Sequence, residues 1–119
     1  MAIPRTDVGS VSRLFKALGD EVRVRMVALL AHGELCVCHL EAALGLAQSN
    51  ASRHLAILRA AGIVERRRQR SWVYYRLAEQ TDEHCRRQLG ELVRAFAKQS
   101  TLRRDVERLV KAQGPGSCD

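Results

Sequence analysis

Apolar positions recur at helical spacing through the first half of the chain. Val11, Leu14, Phe15 and Leu18 fall on one face, and Gly19 followed by Asp20 supplies a stop and then an N-cap. In "EVRVRMVALLAHG" the next stripe is Val22, Met26, Leu29 and Leu30, closed by Gly33. A short helix through Leu40 and Leu44 ends at Gly45. The segment "AQSNASRHLAILRAAG" then groups Ala51, Leu55 and Leu58 and stops at Gly62. Two short helices joined by a tight turn at Gly45 predict a helix-turn-helix.

The period then changes. In "IVERRRQRSWVYYRL", β-branched and aromatic residues alternate, with Val73, Tyr75 and Leu77 set against Trp72, Tyr74 and Arg76. This predicts a hairpin with its tip near Gln69, Arg70 and Ser71, and so a winged helix. From Glu79 to Gln113 the pattern is helical again, with stripes of Cys85, Leu89, Leu92, Val93, Phe96 and of Leu102, Val106, Leu109, Val110. Ser100 and Thr101 offer a place for a break. So much extra apolar helix predicts pairing with a second copy, the alternative being a helix laid over the chain's own core. The expected fold is mostly α with a small β-hairpin, in the order α-α-α-α-β-β-α, as a homodimer. Residues 1–113 read as one DNA-binding and dimerisation domain, and 114–119, "GPGSCD", as a flexible tail.

At 119 residues the chain is long enough for a single core. Its 20 Lys+Arg against 13 Asp+Glu give a formal charge of +7, which favours an anionic partner, nucleic acid first. Helical residues advance about 100° each, so Ser49, Ser52 and Arg53 lie opposite the core stripe of Ala51, Leu55 and Leu58, with Gln48 in the first turn. Gln pairs with adenine and Arg with guanine, while Ser holds phosphate or base. Arg66, Arg67, Arg68 and Arg70 gather on the hairpin, where mutual repulsion invites a polyanion. The expected partner is double-stranded operator DNA carrying an inverted repeat, read by a dimer. No stretch approaches the roughly 20 apolar residues of a membrane span, and the first residues lack a signal-peptide core. That places the protein in the cytoplasm, where thiols stay reduced.

The segment "ELCVCHL" puts Cys36 at the start of the short helix, where Ser, Thr, Asp or Asn is the usual cap. Cysteine caps poorly, so another role is indicated. Cys36 and Cys38 stand at the positive end of a helix dipole, suited to thiolates that hold a soft ion. Residues two apart in a continuous helix point about 200° from each other, so shared chelation requires the first turn to be unwound, or to unwind as the ion binds. That turn opens the helix-turn-helix, which ties ion capture to DNA binding. Arsenite or antimonite wants three thiolates, and two cysteines leave one place open. No Gly-rich phosphate loop, no Cys-x-x-Cys and no base paired with a nucleophile is present, which argues against an enzyme.

Taken together, "ELCVCHL", "QSNASRHLAILRAAGIVERR" and "WVYYRL" resemble the ArsR/SmtB winged-helix repressors over roughly Leu14 to Leu77. The resemblance implies a homodimer that represses its operon when metal-free and leaves DNA when As(III) or Sb(III) binds, with no organic cofactor. Cys36 and Cys38 fall on the family's thiol box, and Gln48, Ser49, Ser52 and Arg53 on its recognition helix. Arsenite sensors of the best-known type carry a third cysteine three residues after the second, where this chain has Glu41. The third thiolate would then be Cys118, with Cys85 or an outside ligand as alternatives. The zinc branch uses an Asp-x-His pair that Asp82 and His84 match, but its second half falls on Ala95 and Lys98. His39 beside the box keeps cadmium, lead or zinc as alternative inducers, and a thiol redox switch is a further one. A DNA binder with no ligand at all is the remaining alternative.

Overall fold

The computed structural model describes residues 7–80 and 83–113. Among these the order is α1 (Val8–Leu18), α2 (Glu21–Leu30), β1 (Leu35–Cys36), α3 (Val37–Leu44), α4 (Gln48–Ala60), β2 (Val64–Gln69), β3 (Trp72–Leu77), α5 (Glu83–Phe96) and α6 (Ser100–Ala112). The expected order α-α-α-α-β-β-α is thus corrected in two places. A two-residue strand precedes α3, too short to leave a period in the sequence. The last helix is two helices, separated at residues 97–99, where the Gln99 side chain accepts from the backbone N–H groups of Thr101 and Leu102 and caps α6.

Local signals act where the sequence places them. The Asp20 carboxylate accepts from the Arg23 backbone N–H at 3.1 Å and starts α2. Gly45 adopts φ 65°, the left-handed conformation that costs a side-chain-bearing residue about 1–2 kcal/mol, and so turns the chain sharply between α3 and α4. Leu14, Met26, Leu29, Leu40, Leu55, Leu58 and Ile63 meet in one core that α1 to α4 and the sheet share. Phe15, expected in the core, is 55 % exposed, because Leu14 and Ala17 turn inward instead.

The sheet order is β1-β3-β2, all antiparallel. Strands β2 and β3 form the wing, from Val64↔Leu77 down to Gln69↔Trp72, with a two-residue turn of Arg70 and Ser71. Arg70 takes φ 58° there. Strand β1 adds to the open edge of β3, pairing Leu35 with Tyr75 and Cys36 with Tyr74.

Helix α6 packs on the chain's own α2 and α3. Leu102 and Leu109 are buried, and between them Asp105, 1 % exposed, receives two hydrogen bonds from Arg25 of α2 at 2.9 and 2.8 Å. The expectation that this stripe waits for a second copy is corrected for α6: a buried ion pair holds it in place within the subunit. On α5 only Leu89 is buried, with Cys85, Leu92 and Val93 partly covered and Phe96 exposed. No helix among the described residues is long and apolar enough to cross a membrane.

Candidate thiol site and DNA-reading surface

Cys36 closes β1 and is also the N-cap of α3, with extended backbone (φ −68°, ψ 145°). Cys38 is the second residue inside the helix. The two side chains converge, their sulfurs 3.0 Å apart. Of the two arrangements expected, a first turn already unwound or one that unwinds as the ion binds, the structure has the first, because Cys36 stands outside the helix in extended backbone. The 200° divergence holds between two residues inside a helix, whereas an N-cap side chain folds back over the second and third helical positions. The donor set suits a soft ion, since two sulfurs already lie close enough to touch one atom.

Burial differs across the site. Cys36 is 1 % exposed, while Cys38 and His39 are half-buried. Burial pushes the His39 imidazole below its usual pKa, so it is neutral at neutral pH. Among the described residues no three His, Cys, Asp or Glu side chains are grouped to hold an ion. Cys85 lies on α5 against the core. Cys118 and Asp82 are outside the described residues, and His84 is exposed.

The strand that carries Cys36 is joined to the wing. Just before it, the Glu34 carboxylate accepts hydrogen bonds from Arg67 of β2 at 2.7 to 3.1 Å, and the Arg67 guanidinium lies 4.7 Å from the centre of the Tyr74 ring. This pairing holds the Glu34 carboxyl below its usual range. Arg67, grouped in the sequence with Arg66, Arg68 and Arg70, thus has its charge answered within the protein. Arg66, Arg68 and Arg70 are exposed. A strand of two residues leaves no pattern, so nothing in the sequence pointed to this joint except the acid at Glu34 facing a run of arginines.

On α4, Gln48, Ser49, Ser52 and Arg53 are all exposed, and Ala51, His54, Leu55 and Leu58 are buried. Asn50, not singled out in the sequence, shares the exposed face and accepts from Arg53 at 3.3 Å. Ala47 provides no side-chain cap, which leaves the first-turn N–H groups of α4 beside Gln48 and Ser49 for an outside acceptor such as phosphate. The helix is set in place by a second joint. Arg23 donates to the α1 carbonyls of Ala17 (2.6 Å) and Lys16 (3.4 Å) and to Nδ1 of His54 (3.0 Å). Arginine has no acceptor, so His54 is neutral with its proton on Nε2.

The sequence and the fold are both similar to those of known proteins. Residues 20–66 match the family described as bacterial regulatory protein, arsR family. The chain is 44 % identical over 110 residues to the arsenic resistance transcriptional regulator ArsR1 of Pseudomonas putida, covering 88 % of this chain and 84 % of that one. Among solved structures it is similar to HlyU from Vibrio cholerae (TM-score 0.69, 30 % identity, 79 % of this chain and 99 % of that chain), whose reduced form is also solved. It is similar as well to a homodimeric winged helix-turn-helix DNA-binding domain from Mycobacterium bovis (TM-score 0.64, 36 % identity, 76 % and 80 %).

Proposed function

This chain is a transcriptional repressor of the ArsR family, and we propose that arsenite or antimonite is its inducer, bound by Cys36, Cys38 and a third thiolate. The observation that carries the reading is the pair of sulfurs 3.0 Å apart at the junction where β1, paired with the wing, runs into α3. Each thiol that displaces a hydroxyl of arsenous acid forms one As–S bond and releases one water. We assign the third place to Cys118. From Gln113, the last described residue of the α6 end, five residues span up to about 17 Å, and α6 itself packs on the thiol-bearing α3.

In the same proposal the metal-free protein holds DNA as a homodimer. The α4 face of Gln48, Ser49, Ser52 and Arg53 enters the major groove, and Arg66, Arg68 and Arg70 of the wing follow the phosphates, while Arg67, grouped with them in the sequence, is held by Glu34. Two copies read an inverted repeat with half-sites about one helical turn apart. Residues 1–113 act as one unit and 114–119 as the segment that delivers Cys118.

Fluorescence anisotropy of a labelled operator fragment tests this. Wild type leaves the operator when arsenite is added, and Cys36→Ser/Cys38→Ser stays bound. Cys118→Ser needs more arsenite for the same release. If the double variant is released like wild type, the thiol site is not the sensor. A thiol redox switch is the second reading, favoured by two sulfurs in contact and by a structural relative solved in reduced form. Release by peroxide but not by arsenite, with a 2 Da mass loss per disulfide formed, decides for it.

A further inference from the structure

We infer that the thiol site acts on DNA binding through the wing, with strand β1 as the connection and Glu34 as its positioning residue. The inference rests on the thiol-sensor reading above and names how that site is coupled.

Cys36 is a member of the three-stranded sheet as well as the cap of α3, and its ladder partner is Tyr74 of the wing. The joint is fastened from three sides. Leu35 pairs with Tyr75 and both are buried; Cys36 pairs with Tyr74; and Glu34 holds Arg67, which lies over the Tyr74 ring. Tyr74 therefore touches the strand that bears the thiol on its backbone and the wing's own arginine on its ring. From Tyr74 the β2–β3 ladder runs without interruption to the Gln69–Trp72 pair, next to Arg70 in the turn.

A ligand entering from outside needs the Cys36 sulfur uncovered, yet that residue is 1 % exposed. In this inference the movement that uncovers it is a shift of β1 against β3, the strand with which its backbone pairs. The chain is built to allow such a shift. Gly33, immediately before Glu34, sits at φ 132°, a conformation open to glycine, and it borders an open groove of about 740 Å³ between the end of α2 and the wing. Displacement of β1 carries Glu34 with it, so Arg67 is pulled or released and the wing changes its angle to α4. Sub-ångström changes at an effector site are passed on in this way because packed joints have discrete arrangements. The recognition helix α4 is held separately by Arg23 and His54 and need not move.

The test compares operator affinity with and without saturating arsenite in wild type, Glu34→Gln and Cys36→Ser/Cys38→Ser, with arsenite binding followed independently by thiolate absorbance. Wild type loses on the order of tenfold or more in affinity. Glu34→Gln binds arsenite as wild type does, but its loss of operator affinity shrinks several-fold because β1 no longer drags the wing. Equal loss in Glu34→Gln and wild type overturns the inference and leaves the sensor reading intact. Release of the double cysteine variant by arsenite overturns the sensor reading itself. Should Glu34→Gln not fold, amide hydrogen exchange on wild type decides. Arsenite is expected to lower protection at β1 and β3 while α4 is unchanged; loss of protection confined to α4 overturns the inference.

Discussion

At the scale of single residues, the same side-chain type takes different work according to what it meets. Arg67 is tied to Glu34, Arg23 to the end of α1 and His54, and Arg66, Arg68 and Arg70 face outward. His54 is the residue with the clearest pH signature. Burial lowers its pKa from the usual 6.5, with Arg53 and Arg23 adding to the shift and Asp20, 3.9 Å away, opposing it. The folded state therefore binds fewer protons here than the unfolded chain. The stability this contributes is complete above about pH 6.5 and is lost as pH falls through the lower folded value. Chemical denaturation between pH 7.5 and 5 is expected to show this decline in wild type and a flatter profile in His54→Gln. An equally steep decline in the variant would place the titrating group elsewhere.

At the scale of elements, α6 is held by an interaction that apolar periodicity does not announce. Asp105 sits at the inward position between Leu102 and Leu109 and is answered by Arg25. Removing one partner of a buried pair leaves the other uncompensated. Asp105→Ala is therefore expected to cost about 3 kcal/mol, somewhat less where Arg25 reaches water. Replacing both, as Arg25→Met/Asp105→Leu, is expected to recover most of that loss, since well-packed apolar groups of similar volume match a buried ion pair. Urea melts of the two variants measure it; a double variant no better than the single one contradicts the account. The wing is an element whose cost is visible. Arg70 adopts φ 58° at a turn where glycine or asparagine would fit with less strain. Keeping a cation there fits an interaction with phosphate.

At the scale of the whole molecule, DNA binding sums many weak charge interactions. Removing wing charges is expected to change the salt dependence more than the sequence preference. In Arg66→Gln/Arg68→Gln/Arg70→Gln the slope of log affinity against log salt should flatten by about 0.9 for each phosphate that is no longer neutralised, measured by anisotropy on matched and scrambled duplexes. An unchanged slope would mean that the wing stands clear of the backbone. The α5 face, with Leu92 and Val93 only partly covered and Phe96 exposed, is where the proposed second subunit has apolar area to gain.

Elements whose partners are near in sequence are legible along the chain. Gly45, Asp20 and the 3.6-residue stripes specify the helix-turn-helix because caps and left-handed turns act within a few residues. The alternation from Val73 to Leu77 specifies the wing strand for the same reason. The exposed faces of α4 and the wing follow from those periods. What only the tertiary structure decided is how distant segments meet. A two-residue strand has no period, so the pairing of Cys36 with Tyr74 could not be read. The approach of the Cys36 and Cys38 sulfurs depended on which side of the helix boundary Cys36 falls, a difference of one residue. Whether Leu102 and Leu109 cover their own core or another's turned on Arg25, 80 positions from Asp105. Local conformational energies are written along the chain, whereas these long-range pairings are selected by the folded whole.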